Sequence, residues 1–154
     1  MRDGCGIGRR VSAVAALLVG AMLAGNAAPR GHDVTVEVTD LRSASGKILA
    51  CLTASERHFP DCEDDARAFE AVADARSGAR VVFRDVPAGT YAIALLHDEN
   101  ANGKADRALM MMPKEGFGFS RDAKLRMGPP SFSSAAFRVD TGSVRQKIRM
   151  RYLF

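Results

Sequence analysis

The stretch Arg80-Val81-Val82-Phe83-Arg84-Asp85-Val86-Pro87-Ala88-Gly89-Thr90-Tyr91-Ala92-Ile93-Ala94-Leu95-Leu96-His97-Asp98 sets the fold. Residues 80–84 and 90–96 are short runs rich in β-branched and aromatic side chains, too short for amphipathic helices and suited to strands. Between them Pro87 presets φ and Gly89 allows a sharp reversal, which predicts neighbouring antiparallel strands joined by a tight corner with Tyr91 packing inward. The second run ends on His97 and Asp98, at the mouth of a markedly polar loop.

Upstream, residues 33–39 alternate Val34, Val36 and Val38 with polar neighbours, the mark of a half-buried strand. Residues 47–53 are more continuously apolar and predict a central strand. Residues 54–67 read as an irregular loop with Pro60 and acidic residues, and 66–75 as a strand with Phe69, Ala71, Ala73 and Ala75 on one face. Downstream, 135–139 and 144–153 give the last two strands. In the latter Val144, Ile148, Met150 and Tyr152 face one way and Arg145, Lys147, Arg149 and Arg151 the other. Residues 113–120 and 128–132, rich in Gly, Pro and Phe, predict ordered loops. About seven short strands between turn signals predict an all-β antiparallel sandwich, immunoglobulin-like or prealbumin-like in shape.

In the polar loop, His97-Asp98-Glu99-Asn100-Ala101-Asn102-Gly103-Lys104-Ala105-Asp106, oxygen-bearing side chains fall at alternate positions and Gly103 follows at the sixth place from Asp98. A hard cation needs six to eight converging oxygens, which a coiled loop supplies from alternating residues. The pattern points to calcium held by Asp98, Asn100, Asn102 and Asp106 through side chains and Lys104 through its carbonyl. The twelfth place is Leu109, not the bidentate Glu of the helix-loop-helix hand, and a strand leads in. The competing reading is a metal-free turn, since Asn, Asp and Gly are ordinary turn residues.

Residues 1–27 read as a secretory signal. Arg2, Arg9 and Arg10 precede the apolar run 11–23, and Gly25-Asn26-Ala27 offers a cleavage site before Ala28. The alternative is an uncleaved anchor. Removing this segment takes 22 basic and 18 acidic residues to 19 and 17, and the net charge from +4 to +2. Such a balance argues against nucleic acid as a partner. The expected product is one domain, residues 28–154, periplasmic or secreted from a bacterium, without a further apolar segment able to span a membrane. Its partner would belong to the cell envelope. Cys51 and Cys62 form an even pair that an oxidising compartment would join in a disulfide; two separate thiols are the alternative.

Three resemblances follow from these residues. D-x-N-x-N-G-x-x-D at 98–106 resembles calcium loops that join two strands, as in integrin α-subunit propellers. F-R-D-V-P-A-G-T-Y at 83–91 resembles the corner of prealbumin-like and collagen-binding B-type sandwich modules. Y-A-I-A-L-L-H-D-E-N-A-N-G-K-A-D, P-K-E-G-F-G-F-S and G-P-P-S-F-S-S-A-A-F, in that order, resemble the bacterial domain of unknown function 2141 family over about residues 34–152. That family's usual H-D-x-N-x-N-G-x-L-D is met except at Ala105, which replaces Leu. The resemblance implies an exported bacterial β-protein and brings no established activity.

Function is therefore argued from residues. His97 beside Asp98 and Glu99 suits a general base, but no nucleophile motif accompanies it, and a structural hydrogen bond to loop backbone is the commoner role. Met110, Met111, Met112 and Met127 suit a soft copper(I) site or, more simply, filler of core gaps. Phe117, Phe119 and Phe132 suit either a ligand platform or a cap over the sandwich end. The basic stripe of the last strand suits an anionic lipid or polysaccharide or, more simply, a solvated face or an edge guarded by charge. These readings together expect a non-enzymatic, exported binding or structural module. The rival is an envelope enzyme or small-ligand and glycan binder using His97, Asp98 and Glu115.

Overall fold

A computed structural model describes residues 31–62, 64–103, 114–125 and 128–153. Within them the chain forms eight strands: β1 (His32–Thr39), β2 (Lys47–Thr53), β3 (Phe69–Asp74), β4 (Arg80–Val86), β5 (Gly89–Asp98), β6 (Gly116–Phe119), β7 (Phe137–Val139) and β8 (Val144–Arg149). A single helical turn, α1 (Phe132–Ala135), precedes β7. The sheet with order β4-β1-β8 lies in one layer, and β3-β2-β5-β6, with β7 also on β5, lies in the other. The architecture is a two-sheet β-sandwich, antiparallel except for β1 against β8, where the first and last strands run parallel.

Periodicity explains which strand does what. In β1, Val34, Val36 and Val38 are buried, and β3 turns Phe69, Ala71 and Ala73 inward while Glu70, Val72 and Asp74 face water. Ile48 and Leu52 of β2, Val81 and Phe83 of β4, Ile93 and Leu95 of β5, and Ile148 of β8 meet these side chains between the sheets. Full burial of each large aliphatic residue stabilises by about 1.5–3 kcal/mol, so this layer supplies the main driving force for folding. β2 and β5 are apolar at almost every position: one face packs between the sheets, and the outward Leu49, Ala94 and Leu96 are half-buried.

Three expectations are corrected. The corner at Pro87 does not join neighbouring strands: β4 belongs to one sheet and β5 to the other, so the chain crosses between layers there. Asp85 takes the left-handed backbone conformation (φ 54°) at this crossing, and a Cβ on Gly89 would stand 3.0 Å from the Tyr91 ring. Tyr91 does pack inward, edge-on to Phe69 at 6.4 Å.

The glycine- and phenylalanine-rich stretch at 116–119 is a strand, not a loop. Its residues alternate with period two. Phe117 and Phe119 point away from the other sheet, while Gly116 and Gly118 face Tyr152, Ile148 and Met150 so closely that a Cβ would lie 2.2 Å from Tyr152 and 2.7 Å from Ile148. Phe117 and Arg151 exchange backbone hydrogen bonds at 3.0 and 2.8 Å, which stitches one side of the sandwich shut. Arg151 is accordingly half-buried, paired with Asp122 at 2.8 Å, rather than lying on a solvated face.

The Cys51–Cys62 disulfide is present, with Cα atoms 6.5 Å apart across eleven residues. By chain-entropy reasoning it contributes about 3 kcal/mol, and it holds the irregular segment after β2 against that strand's outer face. No helix among the described residues is long and apolar enough to cross a membrane.

Candidate functional site

His97 and Asp98 are consecutive in an extended strand, so their side chains leave on opposite faces. His97 continues the inward row of Ile93 and Leu95 and is completely buried. Its Nε2 lies 2.9 Å from the Ser45 carbonyl oxygen, which can only accept, so Nε2 carries the proton. Nδ1, 2.7 Å from the Tyr152 hydroxyl, is then the acceptor, and Tyr152 donates to it. The Arg42 backbone N–H donates to the same hydroxyl at 3.2 Å, and its guanidinium lies over the Tyr152 ring at 4.5 Å.

Arg42 also forms a short ion pair with Glu99, to which the Ser43 hydroxyl donates at 2.7 Å. The Arg42 hydrogen bond holds the Glu99 carboxyl down at about 2, with Ser43 assisting against the cost of burial. Burial raises the Tyr152 phenol above its ordinary value. Glu115 is buried at this end, where its charge acts on Arg42. His97 and Glu115 thus belong to a polar cluster fastening the β1–β2 connection to the ends of β5 and the chain. Both imidazole nitrogens are engaged in hydrogen bonds within the fold.

Asp98, only 1% exposed, opens the polar loop. Its carboxylate accepts from the backbone N–H of Asn102 at 3.1 Å and of Gly103 at 2.7 Å, and Asn100 Oδ1 accepts from Asn102 N–H at 3.0 Å. Ala101 (φ 56°) and Gly103 (φ 75°) supply the left-handed turns that bring these amides round. Three of the five residues of the expected metal set, Asp98, Asn100 and Asn102, therefore share one turn; Lys104 and Asp106 lie outside the described residues, as do Met110, Met111, Met112 and Met127.

The turn fits a weak calcium loop chemically. Each Asp98 oxygen accepts one N–H and keeps a lone pair, and two amide side chains stand beside it. Among the described residues no group of three or more His, Cys, Asp or Glu could hold a metal. Any cation here would rest on amide and backbone oxygens as much as on carboxylates.

The aromatic residues sit apart from this cluster. Phe117 and Phe119 stack at 6.0 Å on the outer face of the four-strand path, and Phe59 reaches both Phe119 (5.9 Å) and Phe132 (6.0 Å) edge-on. Ser120 anchors this layer: it accepts from Ile93 N–H at 2.9 Å and donates to the Ala135 carbonyl at 2.6 Å, tying α1 to β5. Beside the aromatics runs a groove of about 550 Å³. Leu49, Ala94 and Leu96 form its floor, Phe117 and the disulfide its walls, and Val72 and Glu70 its outer margin. Phe119 lines it, whereas Phe132 sits behind Phe59.

Spacing of motifs does not reveal this groove, but composition does. Leu49, Ala94 and Leu96 occupy the outward phase of β2 and β5, where a solvated sandwich face would carry polar residues. Phe59, within the segment read as irregular loop, is the residue that joins the two aromatic groups.

No curated protein and no solved structure matches the chain. The family model described as "Uncharacterized protein conserved in bacteria (DUF2141)" matches residues 36–147, from β1 through β8 and including the buried imidazole, the polar turn and the aromatic strand. The chain therefore belongs to that bacterial family.

Proposed function

We propose that the chain is an exported, non-enzymatic binding module of the bacterial envelope, stabilised by calcium at the turn after Asp98. The groove on the outer face of β2, β5 and β6 carries this reading. Its floor is apolar, its aromatic wall is pinned by a buried serine, and nothing among the described residues fills it. A concave apolar surface with a few polar groups at its margin is the form that small-ligand sites take. The imidazole best placed for catalysis is held in structural hydrogen bonds on both nitrogens, which supports binding over chemistry. An apolar run preceded by arginines at the N-terminus, and a disulfide against the groove, support an oxidising compartment.

Titration with the neutral apolar fluorophore N-phenyl-1-naphthylamine tests the binding half. Wild-type protein should enhance its emission saturably, and Leu96→Arg on the floor should abolish the effect. Val72→Arg, whose position is 63% exposed and tolerant of substitution, should weaken it without disturbing the fold. No enhancement in the wild type, or equal enhancement in both variants, would overturn the groove as a site. Mass spectrometry of the native protein tests export and should find an N-terminus near Ala28; an intact Met1 form confined to the cytoplasm contradicts it.

A further inference from the structure

The outer face of the β4-β1-β8 sheet has a different chemistry. Register places its side chains in rows across the three strands: Arg80, Glu37 and Lys147 in one, Val82, Thr35 and Arg145 in the next. Arg84 and Arg149 extend the array, so five cations stand on the two outer strands. Three carboxylates accompany them. Asp33 lies 3.9 Å from Arg84, Asp40 pairs with Arg149 at 3.0 Å, and Glu37 sits in the central strand. Arg80, Arg145 and Lys147 are exposed and form no ion pair among the described residues. The groove on the far side of the sandwich is lined instead by Asp61 and Glu70.

Because β4 and β8 are the two edges of this sheet, charge on both also guards it against edge pairing. Here the cations occupy both strands flanking β1, separated by two strand spacings, about 10 Å, with alternate residues about 7 Å apart along each strand. That is a two-dimensional lattice. A polysaccharide chain engages charge along a line, whereas an anionic bilayer presents headgroups over a plane. Val82, 39% exposed in the same plane, is an apolar side chain that the headgroup boundary accepts and a hydrated sugar polymer does not.

We propose that this face docks the protein on an anionic phospholipid surface, leaving the opposite groove directed away from the membrane. The binding is peripheral and electrostatic, driven by the paired outer strands. Each cation brought to such a surface changes partitioning about fivefold at ordinary ionic strength, and the attraction fades within a Debye length.

Cosedimentation of the protein purified as the cell exports it, with vesicles of phosphatidylglycerol and phosphatidylcholine, tests this. Pure phosphatidylcholine vesicles serve as the zwitterionic reference. Wild type should bind the anionic vesicles, lose binding as salt rises, and show little more than background on the zwitterionic ones. Arg145→Gln with Lys147→Gln should weaken partitioning about thirtyfold. Arg57→Gln with Arg67→Gln, an equal loss of charge beside the disulfide segment, should leave it nearly unchanged. All four positions are exposed, and unaltered melting curves would confirm that the variants fold. Absence of anionic binding at low salt overturns the proposal. So does equal weakening by both double variants, which would show net charge rather than this face at work. Binding to immobilised dextran sulfate that Arg145→Gln with Lys147→Gln abolishes, while the same variant keeps its binding to anionic vesicles, would assign the face to a polysaccharide and overturn the lipid reading.

Discussion

Replacing Asp98 by alanine separates what the polar turn does by itself from what a cation adds. The carboxylate accepts two backbone N–H groups, at 3.1 and 2.7 Å, from a position 1% exposed. Hydrogen bonds to a charged acceptor are worth about 1.5–3 kcal/mol each. The two donors belong to exposed residues that water can reach after truncation, so the lower end applies and the loss is about 3 kcal/mol. For a domain of this size that corresponds to a fall in Tm of about 9–15 °C. Asp98→Asn keeps one oxygen acceptor and should lose about half as much.

Calcium is then added to both. A ligand bound only to the native state stabilises by RT ln(1 + [L]/Kd), about 2.7 kcal/mol at a hundredfold excess. A loop with few carboxylates should bind in the roughly 10⁻⁴–10⁻³ M range of extracellular modules. Circular-dichroism melts in EDTA and in 10 mM calcium should show the wild type rising by several degrees and Asp98→Ala not at all. A wild-type melt that stays fixed would establish the turn as metal-free, held by its own Asx hydrogen bonds. Asp98→Ala melting within 0.5 kcal/mol of wild type in EDTA would refute the structural account itself.

Acid unfolding should register Glu99. Its folded-state value of about 2 lies below its ordinary value of 4.5, so the Arg42 pair stabilises above pH 4.5 and is lost as pH falls from there towards 2. Arg42 is more than a third exposed, which limits the pair to about 1 kcal/mol; Glu99→Gln should cost that much at pH 7 and flatten the urea midpoint across the same window. Gly116→Ala should lower stability by about 1–3 kcal/mol, read from urea denaturation, because its Cβ must displace the Tyr152 ring from 2.2 Å. A wild-type midpoint in Gly116→Ala would mean that β6 does not lie against Tyr152.

Most of the sandwich was legible because period-two burial leaves a direct trace. The 33–39 and 47–53 runs became β1 and β2 with boundaries changed by at most one residue, and the weak 66–75 pattern became β3 on the expected face. Gly116–Phe119 was misread for a physical reason: glycine signals turns when it stands alone, yet alternating with phenylalanine it marks a strand whose inner face admits another ring. The corner at Pro87 was recognised as a corner but given the wrong partners, since turn chemistry fixes a reversal and does not say whether the chain returns to the same sheet. At the site, the commoner role of His97, a structural hydrogen bond to loop backbone, is the one seen, down to a carbonyl acceptor at Ser45. Its separation from Phe117 and Phe119 required the strand faces to be known.

That separation bears on how the groove is built. A buried imidazole, a phenol, a guanidinium and a carboxylate clamp one end of the sandwich, and the same β5 that ends in this clamp supplies Ala94 and Leu96 to the groove on its other face. Strand residues alternate, so the two faces share a backbone but no side chains. A ligand in the proposed groove would meet a floor backed by Ile93 and Leu95 of the core and anchored at one end by the polar clamp. The polar turn leaves the same strand one residue after the clamp, and Gly103 lies at the groove's margin. Ordering of that turn by a cation would act on the groove through its rim rather than through its floor, and so on access to the ligand more than on the contacts that hold it.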